Sequence, residues 1–266
     1  MAKKKLKRFA DNRQNPLVHE FPYSLLSEQG CPVRGKWASE VFSNENPIVL
    51  ELGCGKGEYT VALAQQDAER NFIGVDRKGA RLWTGATQAL QGQMPNVAFV
   101  RTDIHLIRKI FAPGEVDELW ITFPDPQMKK TRARLLSSVF FSLYTSFLKP
   151  GGIIHLKTDS NFLYTYTQWL LCANGIEPLA DTNDLYAADN AQRIGVPHVL
   201  TFYERQWLLR GKSIKYLRFA LPHLERFVEP ESEPEHDDYT AMTRVDSQLL
   251  DSVDAFFTPK EDEPTE

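Results

Sequence analysis

Pro47-Ile-Val-Leu-Glu51-Leu-Gly53-Cys-Gly55-Lys-Gly57 is an apolar run that ends in an acid and then in three glycines at alternate positions. A short, continuous apolar run suits a parallel strand buried on both faces. Glycines at its carboxyl end let the backbone turn sharply and come close to a ligand. The spacing is G-x-G-x-G, whereas the dinucleotide fingerprint G-x-G-x-x-G would need its third glycine at Glu58. An acid at the strand end and a glutamate in place of that glycine both point away from a pyrophosphate.

Three more apolar runs follow and each also ends in an acid: Asn71-Phe-Ile-Gly-Val-Asp76, Val97-Ala-Phe-Val-Arg-Thr-Asp103, and Val116-Asp-Glu-Leu-Trp-Ile-Thr-Phe-Pro124-Asp125-Pro126. Asp76 stands about 20 residues after the glycines, where an α/β nucleotide fold places a carboxylate on ribose hydroxyls. At any single position a turn or helix-cap role explains a strand-end acid equally well. In an open parallel sheet, however, Glu51, Asp76, Asp103 and Asp125 would all lie along one edge, the edge where ligands bind. A ligand with an amino-acid end and a ribose suits that set, and S-adenosylmethionine has both.

Composition fits a globular α/β chain. At 266 residues, 42% hydrophobic and 25% charged, it is long enough to bury a full core. It has no apolar run long enough to span a bilayer, and it starts Met-Ala-Lys-Lys-Lys, so a cytoplasmic protein without membrane contact is expected. Cys31, Cys54 and Cys172 show no C-x-x-C spacing and the six histidines show no paired spacing, so no disulfide or metal is expected. The net charge of −4 averages two unlike regions. From Glu229 onward there are 13 acidic and two basic side chains, a net of −11, which leaves +7 for residues 1–228. Basic side chains gather at Lys3, Lys4, Lys5, Lys7, Arg8 and Arg13, and again at Lys129, Lys130, Arg132 and Arg134, directly after the Asp125 strand end. A basic run is commonly a solvated surface, but one that flanks a ligand edge fits phosphate contacts to a nucleic acid.

Periodicity predicts three regions: a basic arm and irregular lead-in at 1–46, an α/β domain at 47–228, and an acidic, disordered tail at 229–266 with a short amphipathic piece near Leu249 to Phe257. Within the domain, helices are expected over Tyr59 to Asp67, Lys78 to Gln93, His105 to Phe111, Arg132 to Leu148 and Phe162 to Ala173. A fifth strand follows the turn signal Lys149-Pro-Gly-Gly152, at Ile153 to Asp159, and two more are expected at Val199 to Leu209 and Ile214 to Ala220. The result is a doubly wound, mostly parallel sheet of seven strands.

Residues 47 to 220 resemble the bacterial tRNA (guanine-N7-)-methyltransferases. Glu51-Leu-Gly-Cys-Gly-Lys-Gly57 is similar to that family's cofactor loop, Gly74-Val-Asp76 to its ribose acid, and Phe123-Pro-Asp125-Pro to its active-site turn. Thr158-Asp159 and Thr201-Phe-Tyr-Glu204 resemble its later substrate motifs. The resemblance implies a Rossmann-like class I methyltransferase that uses S-adenosylmethionine to methylate N7 of a guanine in the tRNA variable loop, as monomer or homodimer. It implies that Glu51, Gly53, Gly55, Asp76, Asp103 and Asp125 bind the cofactor. Asp125 would be catalytic, and Lys129, Asp159, Thr201, Phe202, Tyr203 and Glu204 would bind the substrate. Many members place a tryptophan and a denser basic run after the Pro-Asp-Pro turn, whereas this chain has Gln127-Met-Lys-Lys-Thr131. A methyltransferase of another RNA or of a small molecule, a nicotinamide-dependent oxidoreductase, and a non-catalytic RNA-binding module on the same sheet remain alternatives. Product analysis after labelled methyl transfer to bulk tRNA separates them.

Overall fold

The computed structural model describes residues 2–187 and 190–238. Its centre is an eight-stranded sheet in the order β1-β4-β3-β2-β5-β6-β8-β7. Strands β2 (Ile48–Leu52), β3 (Asn71–Asp76), β4 (Val97–Arg101), β5 (Val116–Thr122) and β6 (Leu148–Thr158) run parallel. Every residue of β2 is buried, as expected for a strand covered on both faces. Strand order reverses between β2 and β5, so the carboxyl ends of these two neighbours open the crevice at which such sheets bind ligands.

The sheet has eight strands rather than seven, for two local reasons. Val18–Glu20 (β1) pairs in parallel with β4 at the far edge, so the lead-in is not irregular throughout. Residues 199–209 form no strand: 202–209 is helix α8 (Phe202–Leu209), and Pro178–Thr182 (β7) takes the outer place beside the antiparallel β8 (Lys215–Ala220). The Thr201 side chain accepts from Glu204 N, and the Glu204 side chain accepts from Thr201 N. That capping box starts a helix where alternation alone suggests a strand.

Helices cover both faces, and two short ones, α2 (Tyr23–Glu28) and α7 (Asn190–Ile194), complete the set among the described residues. On one face, α5 (Ser138–Tyr144) and α6 (Asn161–Ala173) pack Phe140, Phe141, Phe162 and Tyr166 against the sheet. On the other, α3 (Glu58–Gln66) and α4 (Gly79–Gln91) pack around Phe99 and Trp120. The approach there is very close: a Cβ on Gly57 would stand 2.6 Å from the Phe99 ring, and one on Gly85 2.7 Å from Lys56 O. Gly57 therefore serves packing, whatever the rest of its loop does.

The two charged ends also differ from expectation. The basic arm is helix α1 (Ala2–Gln14), docked on α4: Arg8 Nη1 donates to Ala80 O at 3.0 Å, Asn12 Nδ2 to Gly79 O at 2.8 Å, and the Arg8 guanidinium lies over Trp83. At the acidic end, residues 229–238 lie against α5 and α6 through Glu229 and Asp237 and against Thr131 and Arg134 through Glu233. The remainder of the tail, including the piece near Leu249 to Phe257, lies outside the described residues. Among the described residues no helix is long and apolar enough to cross a membrane, and no cluster of His, Cys, Asp and Glu is arranged to hold a metal.

Candidate active site

Along the carboxyl edge of the sheet a cleft of about 370 Å³ opens between two walls. The first is the β2–α3 loop. Gly53 and Gly55 hold φ of +79° and +57°, which side chains rarely adopt, and nothing but Gly53 O, at 4.0 Å from the Gly55 position, lies within 4 Å of where their Cβ atoms would be. The backbone is thus exposed to a ligand at these two glycines. Asp76 closes the loop, its Oδ2 accepting from Gly55 N at 2.8 Å and its Oδ1 from Lys78 N at 2.6 Å. A carboxylate has about four lone-pair sites, so each Asp76 oxygen keeps one for a ligand, which matches the two hydroxyls of a ribose.

Glu51 sits at the floor, 3% exposed. Its Oε2 accepts from Thr60 N at 2.9 Å and Thr60 Oγ1 at 2.5 Å, and its Oε1 from Thr122 Oγ1 at 2.7 Å. Burial pushes its carboxyl up to about 7; the threonine hydrogen bonds pull it back down, and the charge of Asp76 adds to the rise. Glu51 therefore ties β2, α3 and β5 together beneath the cleft. A second hollow of about 310 Å³ shares Gly53, Asp76 and Arg81 with the first and continues past Asp103, Ile104, His105, Leu135 and Phe140. Asp103 caps the turn there, accepting from His105 N at 3.0 Å. Two joined hollows, an apolar far end, free acceptors on Asp76 and open glycine backbone fit an extended nucleoside with an amino-acid end.

The second wall is Phe123-Pro124-Asp125-Pro126, with Asp159 and the start of α8. Phe123 and Gln127 hold φ of +47° and +48°. For residues with a side chain this conformation costs about 1–2 kcal/mol each and must be held from outside. Phe123 N donates to Lys157 O at 2.8 Å, and Asp125 Oδ1 accepts from Gln127 N at 3.0 Å. Arg134 braces the turn through Nε to Pro126 O at 3.2 Å and Nη2 to Gln127 O at 3.3 Å. It is completely buried, so it is not the phosphate contact that the basic run suggests.

Helix α8 is pinned from below. Glu204 is fully buried, 2.7 Å from Lys157 Nζ and 2.5 Å from Tyr186 Oη, and it faces this network rather than the cleft. Its capping box sets Thr201 and Tyr203 at the cleft edge, with Trp207 one turn on. Phe202 lies just outside the lining, its ring under Lys56 Nζ at 4.2 Å. Lys129 is exposed, three residues past Pro126, and is not part of the lining. His155 belongs to the core, stacked on Trp120 at 3.9 Å.

The structure thus brings Glu51, Gly53, Gly55, Asp76, Asp125, Asp159, Thr201 and Tyr203 to one cleft and Asp103 to its extension. Sequence reasoning missed Tyr59, Arg81, Thr122 and Trp207 on the lining. Trp207 was detectable: once T-x-x-E at 201–204 is read as a helix start, Tyr203 and Trp207 fall at i and i+4 on one face.

The family described as "Putative methyltransferase" matches residues 45–217. A tRNA (guanine-N(7)-)-methyltransferase of Bacteroides fragilis is 52% identical over 244 residues, covering 92% of this chain and 96% of that protein. The protein of the same name from Porphyromonas gingivalis is 52% identical over 86% of this chain and 95% of its own. Among solved structures, a mutant 16S rRNA (adenine(1408)-N(1))-methyltransferase from Catenulisporales acidiphilia is 17% identical, covering 73% of this chain and 93% of its own with a TM-score of 0.49.

Proposed function

Because the chain belongs to the tRNA (guanine-N(7)-)-methyltransferase family, whose activity is methyl transfer to N7 of a guanine in tRNA, we propose that its two cleft walls divide that reaction. The glycine wall holds S-adenosylmethionine and the Phe123–Pro126 wall holds a guanine of the variable loop. The observation that carries this reading is the meeting of both walls at the β2/β5 switch point. S-adenosylmethionine, when bound, supplies an electrophilic sulfonium methyl group.

On the first wall, Asp76 takes the ribose hydroxyls on its two free lone pairs. Gly53 and Gly55 allow backbone contact, Glu51 lies beneath the amino-acid end, whose cationic amine favours its ionised form, and Asp103 faces the base in the second hollow. On the other wall, guanine N7 has a lone pair and no proton to lose, so no side chain acts as a base and positioning dominates. Methylation leaves the base cationic, and the carboxylates of Asp125 and Asp159 favour that charge as it develops. Tyr203 and Trp207 offer aromatic faces for stacking on the guanine, in place of the tryptophan missing after the Pro-Asp-Pro turn. Lys129, exposed just past the turn, serves the phosphate backbone as a point charge. The site of action is the cytoplasm, where tRNA is found.

The test is single-turnover transfer of labelled methyl to bulk tRNA, followed by nucleoside mass spectrometry. Label in 7-methylguanosine is expected. Label in another nucleoside, or none, overturns the reading.

A further inference from the structure

Glu229-Pro-Glu-Ser-Glu233-Pro-Glu-His-Asp237-Asp follows the last strand and lies after residues 45–217, the part that matches the putative methyltransferase family. Composition alone marks it as a solvated acidic tail. Pro230 and Pro234 keep it from coiling into a helix, and acids four residues apart become three anchors along one path. Glu229 Oε1 accepts from Ser138 N at the start of α5 at 2.8 Å, and its Oε2 accepts from Tyr166 Oη. Glu233 Oε1 accepts from Thr131 Oγ1 at 3.0 Å and from Arg134 Nη2 at 3.1 Å. Asp237 accepts from Phe162 N at 3.1 Å and from Ser160 Oγ, at the start of α6.

These contacts reach the two carboxylates of the substrate wall from behind. Arg134, fully buried with its guanidinium 3.9 Å from the Tyr166 ring centre and 4.7 Å from that of Phe162, joins Glu233 to the carbonyls of Pro126 and Gln127, one and two residues past Asp125. Ser160, held by Asp237, directly follows Asp159. The turn that holds Asp125 carries two residues at positive φ, Phe123 and Gln127, a conformation that relaxes unless it is clamped. A loose electrostatic tail would instead rest on exposed cations such as Lys129 and Lys130. The anchors of this segment fall on a buried arginine, two backbone N–H groups and three hydroxyls.

We propose that residues 229–238 are a working part of the active site, with Glu233 and Asp237 as positioning residues that fix Asp125 and Asp159 for methyl transfer. The proposal rests on the assignment of Asp125 and Asp159 to the guanine side given above. Neither tail residue touches substrate; Glu233 acts through Arg134 and Asp237 through the first turn of α6.

The test uses the full chain with Glu233→Ala, Glu233→Gln and Asp237→Asn. Without ligand, hydrogen exchange of residues 126–134 should quicken about tenfold in Glu233→Ala while β2 to β6 stay protected. The single-turnover rate of methyl transfer should fall about tenfold, with S-adenosylmethionine affinity by calorimetry unchanged. Glu233→Gln, which keeps an acceptor for Arg134 and Thr131, should recover most of both losses. Asp237→Asn should loosen residues 160–163 in the same way. Unchanged exchange in the turn overturns the proposal, and so does a uniform rise across the sheet, which marks a strap that holds only the fold. Tighter tRNA binding with faster transfer also overturns it, because the tail would then be a charge brake. If the unaltered chain makes no 7-methylguanosine, the functional reading fails, and the exchange measurements still decide whether the tail braces the turn.

Discussion

The two walls of the cleft are built by different means. The glycine wall is made mostly locally: positive-φ glycines and the bonds of Thr60 to Glu51 and of Gly55 to Asp76 set its shape, with Thr122 and Phe202 N as the distant ties to Glu51 and Glu58. The guanine wall is assembled from a distance. Its strained turn depends on Arg134 and Glu233, and its helix α8 depends on Lys157, which lies 47 positions before Glu204. A wall made of local turn chemistry keeps its shape wherever the loop is intact. A wall held by buried clamps keeps its shape only while each clamp has its partner.

The largest expected effect tests that dependence. Lys157 and Glu204 are both completely buried and 2.7 Å apart. Removing one partner of such a pair leaves a buried charge uncompensated and costs about 3–5 kcal/mol. Lys157→Ala should lower the stability measured by urea titration by that amount, and Lys157→Met combined with Glu204→Gln should restore much of it. If Lys157→Ala unfolds within about 1 kcal/mol of wild type, the pair does not clamp α8 and the contrast between the walls disappears.

Next is Glu51, the one acid of the glycine wall that is itself buried. Its carboxyl, raised by burial from 4.5 to about 7, holds its proton more tightly folded than unfolded. Between those values the native state binds more protons, so ligand-free stability falls as pH rises, by about 3 kcal/mol in all. That decline is complete above pH 7 and absent below about pH 4.5. Glu51→Gln should remove this slope, so that the variant gains on wild type from pH 5 to pH 8 in urea titrations. Parallel stability curves would show that Glu51 is ionised throughout.

The same division explains what is legible in the sequence. The strands, the glycine loop and the four strand-end acids can be read there because each depends on neighbours within a few positions. Arg134 reads as a surface cation because nothing nearby in the chain shows that Phe162, Tyr166 and Glu233 will enclose it. Glu204 reads as a substrate contact because its partner Lys157 lies on a distant strand. Residues 202–209 read as a strand when alternation is weighed and the Thr201/Glu204 capping box is not. Helix α1 is hidden by its lysines: the residues that dock it are Arg8, Asp11 and Asn12 on α4 and Phe9 under Arg101, a mostly polar set that no apolar stripe announces.

A third prediction sharpens the comparison from the ligand side. Removing the Asp76 acceptor costs about 1.5–3 kcal/mol of charged hydrogen bonding, so Asp76→Ala should weaken S-adenosylmethionine roughly ten- to a hundredfold. Asp125→Ala should leave that affinity nearly intact while slowing single-turnover transfer. An equal drop in cofactor affinity in both variants, measured by calorimetry, would mean that the two walls share one ligand rather than dividing two.

The smallest effect concerns the basic helix, which is formed and docked without RNA. Arg8 is committed to Ala80 and Trp83, whereas Lys5 and Lys7 are exposed on the same helix. Docking on α4 places them beside the element that follows Asp76, where a tRNA phosphate can meet them. Removing one phosphate interaction should reduce the logarithmic salt slope of tRNA binding by about 0.7 to 0.9. Lys5→Ala with Lys7→Ala should therefore flatten that slope and weaken tRNA binding at low salt, with S-adenosylmethionine affinity and thermal stability unchanged. Arg8→Ala should do the reverse, loosening α1 from α4 in hydrogen exchange and altering the slope only as far as the helix departs. A double lysine variant with an unaltered slope would limit the basic helix to solubility and confine tRNA contact to the guanine wall and its rim.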